Sequence, residues 1–115
     1  MGLLEDIKTL LTGISNVYPG NMPKTPDDAV SIKHYGGSPQ LLTGTFVNEP
    51  YFQVLVRSAK YETGNALCET INDLIHGQKT TAVLLIQRQG YINDLGRDEN
   101  NRNQFSMNYR CYYRE

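Results

Sequence analysis

The chain has 115 residues, of which 39% are hydrophobic and 10% aromatic, and these proportions predict residues 1–115 to form a single ordinary soluble domain with its own core. The net charge is −1 and the basic residues are scattered along the chain, so the charge pattern disfavours a protein that binds nucleic acid as its main partner. No apolar stretch approaches the roughly 18 residues that a membrane span needs, and the chain is expected to be made in the cytoplasm.

The first predicted element is an amphipathic helix over residues 3–14, whose apolar residues recur at helical spacing. Prolines and glycines interrupt residues 15–28, which predicts an irregular connection. Residues 29–35 then predict a strand in which Val30 and Ile32 share one face, because side chains alternate between the two faces of a strand.

The middle of the chain is predicted to hold a loop followed by a strand. Residues 40–50 are loop-like, although the stretch LLTGTFV within them is compatible with a short edge strand. Residues 51–57 alternate more clearly and predict a strand with Phe52, Val54 and Val56 on one face.

A second helix is predicted over residues 60–76. Its apolar stripe follows helical spacing throughout and consists of Gly64, Leu67, Cys68, Ile71, Leu74 and Ile75. Gly77 supplies the C-terminal stop. A glycine on the apolar stripe weakens a helix by about 1 kcal/mol relative to alanine, so Gly64 indicates that a neighbouring element comes close to the helix backbone there.

Two further strands complete the prediction. Residues 80–89 are rich in aliphatic and β-branched side chains on both faces, which predicts a central strand covered on each side. Residues 104–113 alternate cleanly, and the apolar side of that alternation consists of Phe105, Met107, Tyr109, Cys111 and Tyr113. One face of this last strand is therefore expected to be buried and the other wet.

The order helix, strand, strand, helix, strand, strand predicts an α+β fold: a two-layer domain with an about four-stranded mixed sheet and both helices packed on one face. The strand over residues 51–57, the second helix and the strand over residues 80–89 would form a right-handed crossover if the two strands are parallel. Periodicity alone leaves the relative direction of those strands open.

The sequence offers no set of metal ligands at a suitable spacing. Cys68 and Cys111 both occupy apolar positions and are expected to be buried free thiols. Together with His34 and His76 they lack the ligand-pair spacing of a zinc site.

The sequence also gives little support for a calcium site or for an enzyme active site. Asp94, Asp98 and Glu99 lack the fixed spacing of a calcium loop, so a solvated turn is expected there. No nucleophile, base and orienting group can be recognised either, and neither catalysis nor a cofactor is predicted.

Three long stretches together resemble a known protein family. The segment YFQVLVRSAKYETGNALCETINDLIHG is followed downstream by LGRDENNRNQFSMNYR and preceded by VYPGNMPKTPDDAVSIKHYGGSP. In this order, over nearly the whole chain, the sequence resembles the minor capsid or tail terminator (tail completion) proteins of long-tailed phages and prophages of Gram-positive bacteria.

The resemblance implies a non-enzymatic virion protein of the tail or neck. Such a protein caps the tail tube, stops its growth and presents a surface to the head-side connector protein. It also implies small subunits arranged as a homo-hexameric ring around a lumen through which DNA passes without sequence-specific binding.

A ring subunit needs polar surfaces toward its neighbours and its lumen, and one polar run directly precedes the last predicted strand. This run is expected to face the tube or the lumen and consists of Arg97, Asp98, Glu99, Asn100, Asn101, Arg102 and Asn103. The alternative is a flexible surface loop without a partner.

Eight tyrosines occur in the chain, and three of them cluster at its end. Tyrosine is enriched at interfaces because it buries a large area and keeps a polar tip. Tyr112, on the wet face of the last strand together with Arg110, is therefore expected to contact a neighbouring subunit, whereas Tyr109 and Tyr113 are expected in the core.

Three other functions stay open at this point. A head-closure or connector component of the phage neck is the nearest, since composition does not separate small ring-forming proteins. A ligand-binding or peptide-binding module would use the region from Gly36 to Pro50 as the rim of a pocket. An enzyme comes last, because it would need a perturbed carboxylate or histidine in a cleft.

Overall fold

Two helices pack on one face of a five-stranded mixed sheet in the computed structural model, which describes residues 3–38, 47–79 and 83–114. The elements in chain order are α1 (Leu3–Leu10), β1 (Val17–Pro19), β2 (Ala29–Ser38), β3 (Val47–Ser58), α2 (Tyr61–Ile75), β4 (Val83–Arg97) and β5 (Asn103–Arg114). The strands lie in the order β1-β2-β3-β5-β4. The predicted α+β class with two helices is confirmed, with five strands instead of four.

Helix α1 is shorter than the predicted 3–14. It ends at Leu10, and the chain continues through a turn in which the amide of Leu11 bonds to the carbonyls of both Ile7 and Lys8. Thr12 and Gly13 follow, and both are poor helix formers. The apolar periodicity extends further than the helix because Leu11 and Ile14 still pack against the core from the turn.

Strand β1 lies inside the segment that the prolines marked as irregular, so the prediction for residues 15–28 is wrong at Val17–Pro19. β1 is an edge strand that runs parallel to β2, with Val17 opposite Val30. Proline has no amide hydrogen to donate, and an edge strand tolerates this because only one of its sides is paired. A three-residue strand that ends in proline therefore has no sequence pattern from which it could be predicted.

Strand β3 is the middle strand, and its core face is the predicted one. Phe52, Val54 and Val56 are fully buried. β3 begins at Val47, before the predicted residue 51, and the part of the predicted loop over residues 40–46 lies outside the described residues.

The prediction of a central strand over residues 80–89 is wrong. Among the described strands, β4 pairs with β5 alone, so it lies at the edge of the sheet, and it continues to Arg97; residues 80–82 lie outside the described chain. Aliphatic residues on both faces are typical of a strand that is buried on both faces. Whether a strand is central depends on which strands pair with it, and local sequence does not reveal this. β3 and β4 run parallel because β5 lies between them and is antiparallel to both.

Strand β5 confirms the predicted alternation. Its buried side chains are Phe105, Met107, Tyr109 and Cys111, and the side chain of Tyr113 lies outside the description. The ring of Tyr109 stacks on Phe52 with centroids 5.2 Å apart, and its hydroxyl donates to the Asn72 side-chain oxygen of α2 at 3.0 Å. This pair ties α2 to the centre of the sheet.

The close approach predicted at Gly64 is confirmed. A Cβ atom at this position would lie 2.5 Å from Cε2 of Phe105 and 3.1 Å from the Cβ of Ser58. Gly77 follows α2 with a φ of 77°, as expected for a helix stop. Leu74, in contrast, is 36% exposed, so the predicted apolar stripe is wider than the buried face of α2.

Both cysteines are buried free thiols, as predicted. Burial raises the pKa of each thiol to about 12, and for Cys68 the nearby Glu69 adds to the shift. These thiols stay protonated at neutral pH and act as small apolar groups in the core.

Candidate functional site

The turn between β4 and β5 is organised around one carboxylate. The Oδ1 atom of Asp98 accepts hydrogen bonds from the amides of Asn100 and Arg102, both at 2.9 Å. Its Oδ2 accepts from Nε of Arg102 at 2.9 Å. These bonds, first of all the one from the Arg102 amide, hold the pKa of Asp98 below its usual value. The turn is therefore a defined structure around an ionised aspartate.

Arg102 connects this turn to a segment far away in the sequence. Its side chain is almost fully buried, forms an ion pair with Asp27 at 3.5 Å between Nη1 and Oδ1, and donates to the carbonyl of Lys24. Since Arg102 also binds Asp98, one guanidinium joins the β4–β5 turn to the proline-rich segment that precedes β2.

A second arginine holds the same segment from β3. Arg57 is only 3% exposed and donates to the carbonyls of Asp27 (3.1 Å from Nε), Pro23 (2.7 Å from Nη1) and Pro26. Burial, and then the charge of Arg102, lower the pKa of Arg57. An arginine nevertheless stays charged at neutral pH, so all three bonds are charge-assisted.

We call residues 21–28 and 98–102 together the clamped end, because Arg57 holds the first segment to β3 and Arg102 joins the first segment to the second. The exposed side chains of the clamped end include Lys24, Asp27, Glu99, Asn100 and Asn101. The amide of Ala59, just before α2, adds a bond to the Asp28 carboxylate at 2.9 Å.

The polar run over residues 97–103 is only partly exposed, so the structure narrows the predicted contact surface to some of its seven residues. Arg97 ends β4 and Asn103 begins β5, while Arg102 and Asn103 are buried. Glu99, Asn100 and Asn101 form the exposed tip, and Arg97 donates to the Asn101 side-chain oxygen at 2.9 Å. Whether this tip faces a tube or a lumen stays a prediction.

The role of Arg57 has no direct signal in the sequence, where this residue is only the last one of a predicted strand. A buried arginine can be recognised when its acceptors are known, and the acceptors here are backbone carbonyls, which have no sequence signal. The proline-rich composition of residues 19–26 was the one indirect hint, because prolines leave carbonyls without a strand partner.

Arg110 and Tyr112 lie on the face of the sheet that the helices leave open, as predicted. Arg110 pairs with Glu49 at 3.3 Å between Nη1 and Oε1, donates to the Gln87 side chain at 3.1 Å, and lies over the Tyr112 ring at 5.9 Å. Its Nε is buried without a partner among the described residues. Both side chains are half-buried, and a role in subunit contact stays a prediction.

The edge strand β4 carries two large exposed apolar residues that sequence analysis did not single out. Tyr91 is 67% and Leu95 51% exposed, and the β4–β5 pairing is irregular near both. Arg88 lies over the Tyr91 ring at 5.0 Å. Such bulges keep an edge strand from pairing freely with another chain.

His34 and His76 are both exposed, and Nδ1 of His76 accepts a hydrogen bond from the Arg88 amide at 3.1 Å. Within residues 3–38, 47–79 and 83–114, no three histidine, cysteine or acidic side chains are grouped so that they would hold a metal ion. Among the described helices, none has the length and apolar character needed to cross a membrane.

Comparisons with known proteins place this fold in a family. A protein-family model described as bacteriophage tail terminator protein matches residues 2–114. No curated protein matches the chain. Among solved structures, a chain of the "Virion of native gene transfer agent (GTA) particle" superimposes with a TM-score of 0.73 at 12% identity, covering 98% of this chain and 95% of that one. At this identity the likeness concerns the fold.

The family match extends over the clamped end, both helices and all five strands. It confirms the resemblance to tail terminator proteins seen in the sequence, while the link to phages of Gram-positive bacteria stays a prediction. The chain thus belongs to the bacteriophage tail terminator protein family and is a structural component of the phage virion.

Proposed function

We propose that this protein caps the completed tail tube, stops its polymerisation and provides the surface to which the head-side connector protein joins. The match of the tail terminator family to residues 2–114 carries this proposal. The protein acts by binding alone, without a catalytic step. We further propose that six copies form a ring on the tube, with the DNA passing through its lumen.

In this proposal the tip of the β4–β5 turn contacts the tail tube or lines the lumen. Glu99, Asn100 and Asn101 are exposed there, while Asp98 and Arg102 fix the backbone beneath them. A segment that is ordered before binding loses less conformational entropy in the complex, so a rigid turn suits a contact with a repeating partner.

Loss of the protein should lengthen phage tails. We expect electron microscopy to show overgrown tubes when tails assemble without it and tubes of fixed length when it is present, because the growing end would lack its cap. Tails of normal length that fail only to join heads would instead assign the protein to the connector side. No effect on length or joining would contradict both roles.

The contribution of the turn can be separated from folding by changing exposed residues only. Replacing Glu99 and Asn100 together with lysine should let tubes overgrow, because two positive charges then replace the one negative charge that the tip presents to its partner. Asp73→Lys together with Gln78→Lys is the matched control with the same change of charge, since both residues are exposed, on the last turns of α2 and just beyond it, where a cation suits the helix dipole. Tubes that stop normally with the double variant would remove the tip from the contact.

The subunit contact is proposed to include Tyr112 and Arg110. Tyr112→Ala should weaken self-association about tenfold, because a half-buried aromatic that contacts a neighbour contributes on the order of 1 kcal/mol or more. Light scattering over a concentration series would detect the shift, with Tyr35→Ala on β2 as a control for losing a tyrosine. An unchanged assembly state in Tyr112→Ala would exclude Tyr112 from the interface.

A further inference from the structure

We propose that the proline-rich segment 21–28 forms part of the tube-binding surface together with the turn 98–102, and that Arg57 and Arg102 are the positioning residues of this composite surface. The inference rests on the proposed tube-binding function and extends it to a segment 70 or more positions earlier in the sequence. The whole clamped end, and not the turn alone, then contacts the tail tube.

The first support is the way in which segment 21–28 is held. None of its side chains is buried, and only Met22 and Pro23 are half-buried, so apolar packing does not fix this segment. Instead, four backbone carbonyls of the segment itself accept hydrogen bonds from the buried guanidinium groups of Arg57 and Arg102. These carbonyls belong to Pro23, Lys24, Pro26 and Asp27. The segment is rigid because of charged hydrogen bonds directed inward.

The second support is that the same arginine fixes both segments. Arg102 donates to the Lys24 carbonyl, pairs with Asp27 and holds Asp98 at the centre of the turn. Neither segment can shift without breaking bonds to the other. A partner that reaches the tip of the turn therefore meets segment 21–28 in one defined arrangement.

The third support is the polarity of the surface, which indicates the kind of partner. Its outward charges have both signs, with Lys24 against Asp27 and Glu99, and none of the large exposed apolar residues lies in it. Such a surface fits a folded hydrophilic protein surface of complementary mixed charge, and its binding should weaken as salt rises. The exposed Tyr91 and Leu95 of β4 lie outside it.

The test measures binding of the purified protein to tubes polymerised from the phage's own tail tube protein. Lys24→Glu should weaken binding about tenfold or more without lowering the melting temperature, because its side chain is exposed. Lys79→Glu is the matched control: it makes the same charge change beyond the other end of α2, whose 15 residues span roughly 22 Å.

The positioning role of Arg57 has its own readout. Arg57→Lys keeps the charge but cannot reach all three carbonyls in the planar fork of arginine. At a temperature where circular dichroism shows an intact fold, we expect weaker tube binding and faster hydrogen exchange in residues 21–28. A role in global stability alone would leave the binding of the folded molecules unchanged.

The possible failures can be told apart. If the wild type binds tubes and Glu99→Lys weakens binding but Lys24→Glu does not, the composite surface is wrong and the tube-binding function stands. If the wild type does not bind tubes, the proposed function fails and the inference fails with it. Loss of binding in Lys79→Glu as well would show a nonspecific charge effect and would also overturn the inference.

Discussion

Replacing Arg57 with methionine is expected to lower the free energy of unfolding by about 3 kcal/mol, because three charge-assisted hydrogen bonds disappear together. The carbonyls of Pro23, Pro26 and Asp27 would lose their donor at once. Because methionine keeps much of the side-chain volume, the decrease in the free energy of unfolding mainly measures the contribution of the three hydrogen bonds. Urea denaturation followed by circular dichroism measures the change as a shift of the midpoint.

Two control variants distinguish the effect of the guanidinium geometry from the effect of the positive charge. Arg57→Lys should fall between the wild type and Arg57→Met, because an ammonium group reaches fewer of the carbonyls. Arg97→Met, at an exposed arginine, should change the free energy of unfolding by less than about 0.5 kcal/mol. A loss of less than about 1 kcal/mol in Arg57→Met would mean that water replaces the guanidinium, and the clamp would then not hold residues 21–28.

Gly64→Ala is expected to destabilise the protein by about 2 kcal/mol. The new Cβ would lie 2.5 Å from the ring of the buried Phe105, so the ring or the helix must move, at a cost of about 3 kcal/mol. The better helix propensity of alanine returns about 1 kcal/mol. Thermal or urea unfolding of the single variant measures the net change.

A double-mutant cycle identifies the cause. Phe105→Leu removes the ring atom that the new methyl group would meet, so Gly64→Ala should cost little or even stabilise the protein in that background. Thr63→Ala, at the exposed neighbouring position of α2, controls for helix propensity alone. An equal loss from Gly64→Ala with and without the Phe105 ring would contradict the close-packing explanation.

The elements with strong periodicity were predictable from local sequence. Helix α2 extends over Tyr61–Ile75 within the predicted 60–76, and the buried faces of β3 and β5 are the predicted ones. In each case apolar side chains repeat with the period of a helix or a strand, and burial of that one face stabilises the element.

Predictions failed where the position of a strand or the partner of a side chain depends on segments distant in the sequence. The stretch that includes β4 appears from its composition to be a central strand, but it lies at the edge because β5 takes the place beside β3. β1 escaped prediction because three residues ending in proline have no period of their own. The candidate site was predicted in part: the tip of the β4–β5 turn was singled out, and its clamp was not.

Local sequence is sufficient to predict the α+β class, the core faces of α2, β3 and β5, the close approach at Gly64 and the resemblance to tail terminator proteins. These properties follow from local periodicity or from motifs in chain order. The binding of segment 21–28 by Arg57 and Arg102, in contrast, is seen only in the folded chain. Their acceptors lie 30 to 34 residues from Arg57 and 78 residues from Arg102, and backbone carbonyls are the same at every position, so no local pattern marks them.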